Sequence, residues 1–226
     1  MMLDTNITVR NLTLQGGERG VMLGENAGRG GRVENCVIRN NRYGVHSVEA
    51  TTDTQREVLL DRCIVTNNLS HALYFESGSQ GGLPGAVSAR NCLIAGNGGN
   101  GIYANVAHQT PFISRFEHCT IAGNGGSGFE DFSQYSQSFE FSHSIIAGNG
   151  GYGVRRSWTG GGYLVTLRNV CLFGNALGHV SSLRHDDPRV LFDGGVFVGD
   201  PLFAGVGDYR LSSGSPALKQ GSLLAA

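Results

Sequence analysis

Aromatic and charged residues follow one another along the chain at intervals of 25 to 29 residues, at His46, Tyr74, Tyr103, Glu130 and Arg155. We call these five residues the column. Glu76 and Asn105 each follow two positions after a tyrosine of this column. Tyrosine rings present flat apolar faces on which sugar rings can stack, while carboxylate, amide and guanidinium groups hydrogen-bond hydroxyl or uronate groups. The column therefore predicts a binding surface for an extended sugar chain, with Tyr74, Tyr103, Glu76 and Asn105 as substrate-binding residues.

A simpler interpretation of the same column stays open. Outward positions of any repeat structure carry polar side chains, and Glu130 lies one repeat before Arg155, which suits a surface ion pair. Asp131 and Arg156 follow them on the opposite alternation, so we expect this second pair to point inward and to be structural.

Arg155, Glu130 and His46 are the candidate catalytic residues. A lyase acting on uronates needs a base and a cationic group or calcium ion, and Lys219 is the only lysine. Arg155 or His46 would then be the base and Tyr103 a proton donor, although the column spreads them over several repeats. A glycosidase needs two carboxyl groups roughly 5 to 9.5 Å apart, and Glu76 and Glu130 are expected near or beyond that limit.

Composition narrows the partners and cofactors. The 17 basic and 18 acidic residues give a net charge of −1 without a basic cluster, so no nucleic-acid partner is predicted. No apolar run is long enough for membrane insertion, and the first residues do not resemble a signal peptide. No metal site is predicted, because the five cysteines lack paired spacing and Asp186-Asp187, before Pro188, indicates a solvated turn more than a calcium site.

A repeat runs through nearly the whole chain. Its anchor positions are 24 to 29 residues apart and read Leu12, Cys36, Cys63, Cys92, Cys119, Ser144 and Val170. Two further apolar columns hold this phase, one two residues after the anchor (Ile38, Val65, Ile94, Ile121, Ile146, Leu172) and one three residues before it (Val33, Leu60, Ala89, Phe116, Phe141, Leu167). Such a period predicts one coil of a solenoid, with the cysteines as small interior residues.

Asparagine stands five residues after each anchor from Cys36 onward, at Asn41, Asn68, Asn97, Asn124, Asn149 and Asn175. We expect this column to form a ladder of side-chain amides and to take the left-handed conformation at a coil corner. Short Ile- and Val-rich runs between Gly and Asn exclude an α-solenoid. The predicted fold is all-β: a single-stranded right-handed parallel β-helix of about seven coils over residues 7–198, with a C-terminal cap over 199–226, all within one domain, 1–226.

These coils resemble the right-handed parallel β-helix repeat proteins of the pectate-lyase-like superfamily over about residues 7 to 220. The resemblance is carried by stretches such as Asn91-Cys92-Leu93-Ile94-Ala95-Gly96-Asn97-Gly98-Gly99-Asn100-Gly101-Ile102. Gly199-Asp200-Pro201-Leu202-Phe203, Asp208-Tyr209-Arg210-Leu211 and Gly214-Ser215-Pro216-Ala217 are similar to the closing segment of secreted or surface-anchored bacterial β-helix proteins. The resemblance implies an extracellular or cell-surface location.

The wider fold hosts polysaccharide lyases, pectin-degrading hydrolases, epimerases, tailspikes and adhesins, so it does not choose among activities. Two functions remain open. The first is a carbohydrate-binding or polysaccharide-modifying protein that uses the column from His46 to Arg155. The second is a non-catalytic structural or adhesive module, because the first strand, near Ile7, lacks a capping helix. That edge predicts a homo-oligomer or a longer parent chain.

Overall fold

The computed structural model describes residues 1–3, 7–23, 30–48, 57–77, 85–107, 112–133, 137–156, 164–182 and 190–219. Three parallel sheets of eight strands each form a solenoid, and a two-stranded antiparallel hairpin follows them. The 24 strands of these sheets fall into eight successive sets that take one strand from each sheet, close to the expected number of coils. The predicted all-β parallel helix of about seven coils is therefore confirmed.

Each sheet collects one strand from every coil. Sheet A consists of Met2–Leu3, Arg19–Leu23, Tyr43–Ser47, Leu73–Glu76, Ile102–Asn105, Phe129–Asp131, Tyr152–Arg156 and Gly178–Ser182. Sheet B consists of Ile7–Arg10, Gly30–Glu34, Glu57–Asp61, Ala86–Arg90, Phe112–Glu117, Gln137–Ser142, Val165–Arg168 and Val190–Phe192. Sheet C consists of Thr13–Gln15, Val37–Arg39, Ile64–Thr66, Leu93–Ala95, Thr120–Ala122, Ile145–Ala147, Cys171–Phe173 and Phe197–Val198.

The core is a set of in-register apolar columns, one or more from each sheet. Ile94 pairs with Val65 and Ile121 in sheet C, and Ala89 pairs with Leu60 and Phe116 in sheet B. All of these side chains are buried. The predicted columns are confirmed, because the parallel strands pair in register and equivalent side chains share the inner face.

The asparagine ladder forms as expected, but its members do not supply the left-handed corner. Asn97 donates from Nδ2 to Oδ1 of Asn124 at 2.9 Å and accepts from Nδ2 of Asn68 at 2.9 Å. Positive φ belongs instead to the residue before each ladder Asn, such as Asn67 at 53° and Gly96 at 66°. The ladder residue keeps an ordinary φ because its side chain must turn inward to reach its neighbours, so the sequence-based assignment of the left-handed residue was wrong by one position.

The inward pair predicted from the alternation of sheet A is present. Nε of Arg156 lies 3.9 Å from Oδ2 of Asp131, and both side chains are almost fully buried. Oδ1 of Asp131 accepts from the backbone N–H of Ser133 at 2.9 Å. Burial raises the pKa of the Asp131 carboxyl, since the charged form loses its hydration.

The C-terminal segment folds back along the flank of the solenoid. Its hairpin, Phe203–Gly205 with Asp208–Leu211, and the 3-10 helix Pro216–Lys219 follow the last strand of sheet C. Phe203, Leu211 and Ala217 pack on a small cluster formed by Ile145, Ala147 and Cys171 on the outer face of sheet C. The described part of this segment therefore covers the outer face of sheet C near the end of the stack, and its role as a cap stays a prediction.

At the other end, the strands Ile7–Arg10 and Thr13–Gln15 pair on one side only among the described residues. Ile7 and Leu12 are exposed there. Association through this edge stays a prediction. The described residues contain no helix long and apolar enough to cross a membrane.

Candidate functional site on the outer face of sheet A

The predicted outward column is held in register by five neighbouring strands of sheet A. Tyr74 pairs with His46 on one side and with Tyr103 on the other. Glu130 pairs with Tyr103 and with Arg155 in the next two steps. Equivalent Cα atoms in neighbouring parallel strands are about 4.8 Å apart, so these five side chains form one continuous line across the coils.

Five rings on this face form an aromatic cluster: Tyr43, His46, His71, Tyr74 and Tyr103. The Tyr74 ring lies 4.6 Å from the His46 ring and 5.6 Å from the Tyr103 ring, stacked on both. The two faces of Tyr74 are thus used inside the protein, and its role as a flat platform for a sugar ring, expected from sequence, does not fit this geometry. Among the described rings, those contacting Tyr103 are His71 and Tyr74. Its side toward Glu130 is therefore not covered by another ring.

His46 lies beneath the cluster, with only 2% of its side chain exposed. Nε of Arg19 donates to Nδ1 at 2.7 Å, so Nε2 carries the proton and donates to Oε2 of Glu76 at 3.0 Å. Burial, followed by the positive charge of Arg19, lowers the pKa of His46 despite the Glu76 carboxylate. Since both ring nitrogens are engaged, the imidazole is placed to orient Glu76.

Glu130 and Arg155 form the outward ion pair predicted as the alternative. Nη1 of Arg155 lies 3.3 Å from Oε1 of Glu130, and Nδ2 of Asn100 donates to Oε2 at 3.1 Å. The Arg155 side chain is 39% exposed and that of Glu130 is 16% exposed. The guanidinium also lies 5.8 Å from the Tyr152 ring centre. Arg155 is therefore a cation held in place, available to an acidic or hydroxyl-rich ligand.

Glu76 and Glu130, the two candidate carboxylates on this face, do not form a hydrolytic pair. Glu76 pairs with Asn105, whereas Glu130 pairs with Tyr103 one rung further and two residues earlier along the strand direction. The register separates the Glu76 and Glu130 Cα atoms by two rungs and two residues, about 12 Å. Glycosidases place their two carboxyl groups roughly 5 to 9.5 Å apart. The Glu76 carboxylate also turns toward His46 in the preceding coil, on the side away from Glu130, which agrees with the expected misfit with a glycosidase.

Partial burial sets the protonation of the cluster. It lowers the pKa of His71 to about 4, and Nδ1 of this ring accepts from the backbone N–H of Asn100 at 3.0 Å. Burial also raises the pKa of Tyr74 and of Tyr103, with nearby carboxylates adding to the effect. At neutral pH the two phenols are protonated and His71 is uncharged, so the cluster offers hydroxyl groups and ring edges without charge.

Tyr43 and His71 were not among the predicted site residues, although the sequence contains a signal for them. Each stands two positions before an inward residue of sheet A, Val45 or Leu73, at the same phase as Tyr152 before Val154. Tyr43 and Tyr152 are the first residues of their strands and His71 precedes its strand, so the backbone is still leaving the corner there and the alternation does not fix the side-chain direction. Comparing corner positions between coils would have identified a second aromatic column beside the first.

The acidic pair Asp186-Asp187, considered for calcium, lies outside the described residues.

The family of the chain follows from its sequence match as well as from its coils. Residues 1–170 match the family described as a right-handed β-helix region, and the chain belongs to that family. Comparisons with curated proteins and with solved structures found no match. The class of protein defined by fold and family is therefore a right-handed parallel β-helix protein.

Proposed function

We propose that the outer face of sheet A binds an extended polysaccharide. The observation that carries this proposal is the aromatic cluster, which places five rings in contact on an outer face flanked by Glu76, Glu130 and Arg155. A face that only had to be solvated would not need packed rings there. Rings beside oriented carboxylate, amide and guanidinium groups suit sugars, which combine apolar ring faces with dense hydroxyl groups.

Tyr103 and Arg155 would make the main contacts. Tyr103 is the last ring of the cluster, and its side toward Glu130 lacks a ring neighbour among the described residues. Arg155 lies two rungs further along the same line. A sugar unit stacked beyond Tyr103 would therefore meet Glu130 and Arg155 with its hydroxyl or carboxylate groups.

Binding without bond cleavage is the form of the proposal that the geometry supports best. His46 has both nitrogens engaged and is buried, and the glutamates are too far apart for paired acid and base chemistry. Arg155, the remaining candidate base, is ion-paired with Glu130. An arginine guanidinium stays protonated in proteins and is a better electrostatic partner than a base.

The test is binding of the full chain to a panel of neutral and acidic polysaccharides, with and without calcium. Ultraviolet absorbance of unsaturated uronate products is recorded in the same samples. Binding without product is the expected result. Absence of binding to every polysaccharide would overturn the proposal, and product formation would replace binding by lyase activity.

A further inference from the structure

A cluster of potential metal ligands lies at the corner between sheets B and C, away from the aromatic cluster. It consists of Glu117, His118 and His143, whose ligand atoms all lie within 4.8 Å of one another. The two imidazoles belong to successive coils and stack with ring centres 5.0 Å apart. Two imidazoles and one carboxylate are a common ligand set for zinc in proteins.

The fold does not require histidine at this corner. The residue before the anchor has a left-handed φ in every coil, 51° at His118 and 49° at His143. Elsewhere the same phase holds mainly asparagine, as at Asn35, Asn91 and Asn169. Asparagine adopts this conformation readily, so the two consecutive histidines are a departure from the repeat that backbone geometry does not explain.

The surroundings suit a bound cation. His118 and His143 line a cavity of about 240 Å³, bounded on its other side by the C-terminal segment with Leu218. Nδ1 of His143 is buried and has no hydrogen-bond partner among the described residues, while Nε2 lies 2.9 Å from Nδ2 of Asn169. A buried polar atom without a partner is costly, and a ligand bond from Nδ1 would remove that cost. Such a bond places the ring proton on Nε2, which then donates to the Asn169 amide turned to present its oxygen.

The charges around the cluster do not oppose a cation. Two cations lie close to the cluster and both are ion-paired: Arg168 with Asp193, and Arg90, one rung from Glu117, with Asp61. Glu117 contributes a negative charge at the cluster itself.

We propose that Glu117, His118 and His143 bind one divalent transition-metal ion of the zinc type. The ligand atoms of a tetrahedral zinc site are about 3.4 Å apart, so separations of up to 4.8 Å must close by at most about 1.4 Å. A water molecule in the cavity would complete the coordination. The ion would link two neighbouring coils beneath the C-terminal segment. Its binding would not depend on a glycan bound to sheet A.

The full chain, stripped of metal with a chelator, is titrated with Zn²⁺ by calorimetry and with Co²⁺ by absorbance. His118→Asn and His143→Asn are the test variants, because Asn at this phase preserves the corner. Arg62→Asn is the matched control, since Arg62 has the same left-handed φ, 52°, in another coil. Circular dichroism and Tm of the metal-free proteins check that every variant folds.

The expected result is one ion per chain, a Tm raised by Zn²⁺, and a loss of affinity of about tenfold or more in each His variant. The Arg62→Asn control binds like the wild type. Absence of Zn²⁺ binding, or binding of equal affinity in the folded His118→Asn and His143→Asn variants, would overturn the proposal.

Discussion

Nε2 of His46 lies 3.0 Å from Oε2 of Glu76, one rung and two residues away, and links a buried ring to an exposed carboxylate. The His46 side chain is 2% exposed and that of Glu76 is 45% exposed. Arg19 holds the other ring nitrogen, which fixes the tautomer. The exposed acid on the proposed binding face is thus oriented from below by a neutral imidazole.

Glu76→Gln should lower the pKa of His46 further. The Glu76 carboxylate favours the charged imidazole, whereas burial and Arg19 oppose it, so removing this negative charge leaves only the weaker effect of Glu18 against them. The measurement is an NMR titration of the imidazole signals. Glu57→Gln, an exposed glutamate on sheet B, is the control and should leave the midpoint in place. A His46 midpoint that stays or rises in Glu76→Gln would contradict this network.

His71 should make the protein less stable in mild acid. Its pKa is about 4 when folded and 6.5 ordinarily, so the unfolded chain takes up a proton first as pH falls. This contribution is complete above pH 6.5 and is lost between pH 6.5 and about 4. Allowing for solvent screening, the loss is about 2 kcal/mol.

His71→Asn is the informative variant, since asparagine occupies the same phase in the next coil, at Asn100. Urea unfolding at several pH values should show that the free energy of unfolding falls less between pH 6.5 and about 4 in this variant than in the wild type. If the free energy of unfolding depends on pH equally in the variant and the wild type, His71 has the same pKa in the folded and unfolded states.

Asn68→Ala should lower the free energy of unfolding by about 3 kcal/mol, because it leaves several buried polar groups without a hydrogen-bond partner. Nδ2 of Asn68 donates to the Ile38 carbonyl at 3.2 Å and to Oδ1 of Asn97 at 2.9 Å, and its Oδ1 accepts from Asn41. Asn67→Gly, at the exposed left-handed position beside it, should change the free energy of unfolding by less than about 0.5 kcal/mol. Equal effects of the two substitutions in chemical denaturation would argue against the ladder as a stabilising feature.

Gly101→Ala should cost about 3 kcal/mol through overpacking. A Cβ there would lie 2.7 Å from the Gly128 carbonyl oxygen and 2.7 Å from Cγ2 of Ile121. Gly148→Asn is the contrasting change, because φ is 63°, nothing lies within 4 Å, and Asn67 occupies this phase in another coil. Thermal unfolding should show a large fall in Tm for the first variant only. A tolerated Gly101→Ala would mean that neighbouring rungs can separate.

The coils were predictable from sequence because every strand repeats its inward residues at one phase, as Val65, Ile94 and Ile121 do in sheet C. Corner conformations were less accessible, since both Asn67 and Asn68 have the composition of a corner and only backbone geometry separates their roles. The stacking of Tyr74 depends on ring rotations that residue type does not specify.

The metal-ligand cluster was also only partly predictable from the sequence. His118 and His143 share a phase in the sequence, but Glu117 joins them only through the turn of the corner.

The position of the glycan-binding face is the central claim, and titration of two matched variants tests it most directly. Arg155→Ala removes an outward cation from sheet A, and Arg115→Ala removes one from sheet B, where it is paired with Glu140 at 3.0 Å across one rung. With the tightest-binding polysaccharide, Arg155→Ala and Tyr103→Ala should each weaken binding about tenfold or more, while Arg115→Ala binds like the wild type. Unchanged affinity in Arg155→Ala and Tyr103→Ala, with both variants folded, would contradict the assignment of the site to sheet A.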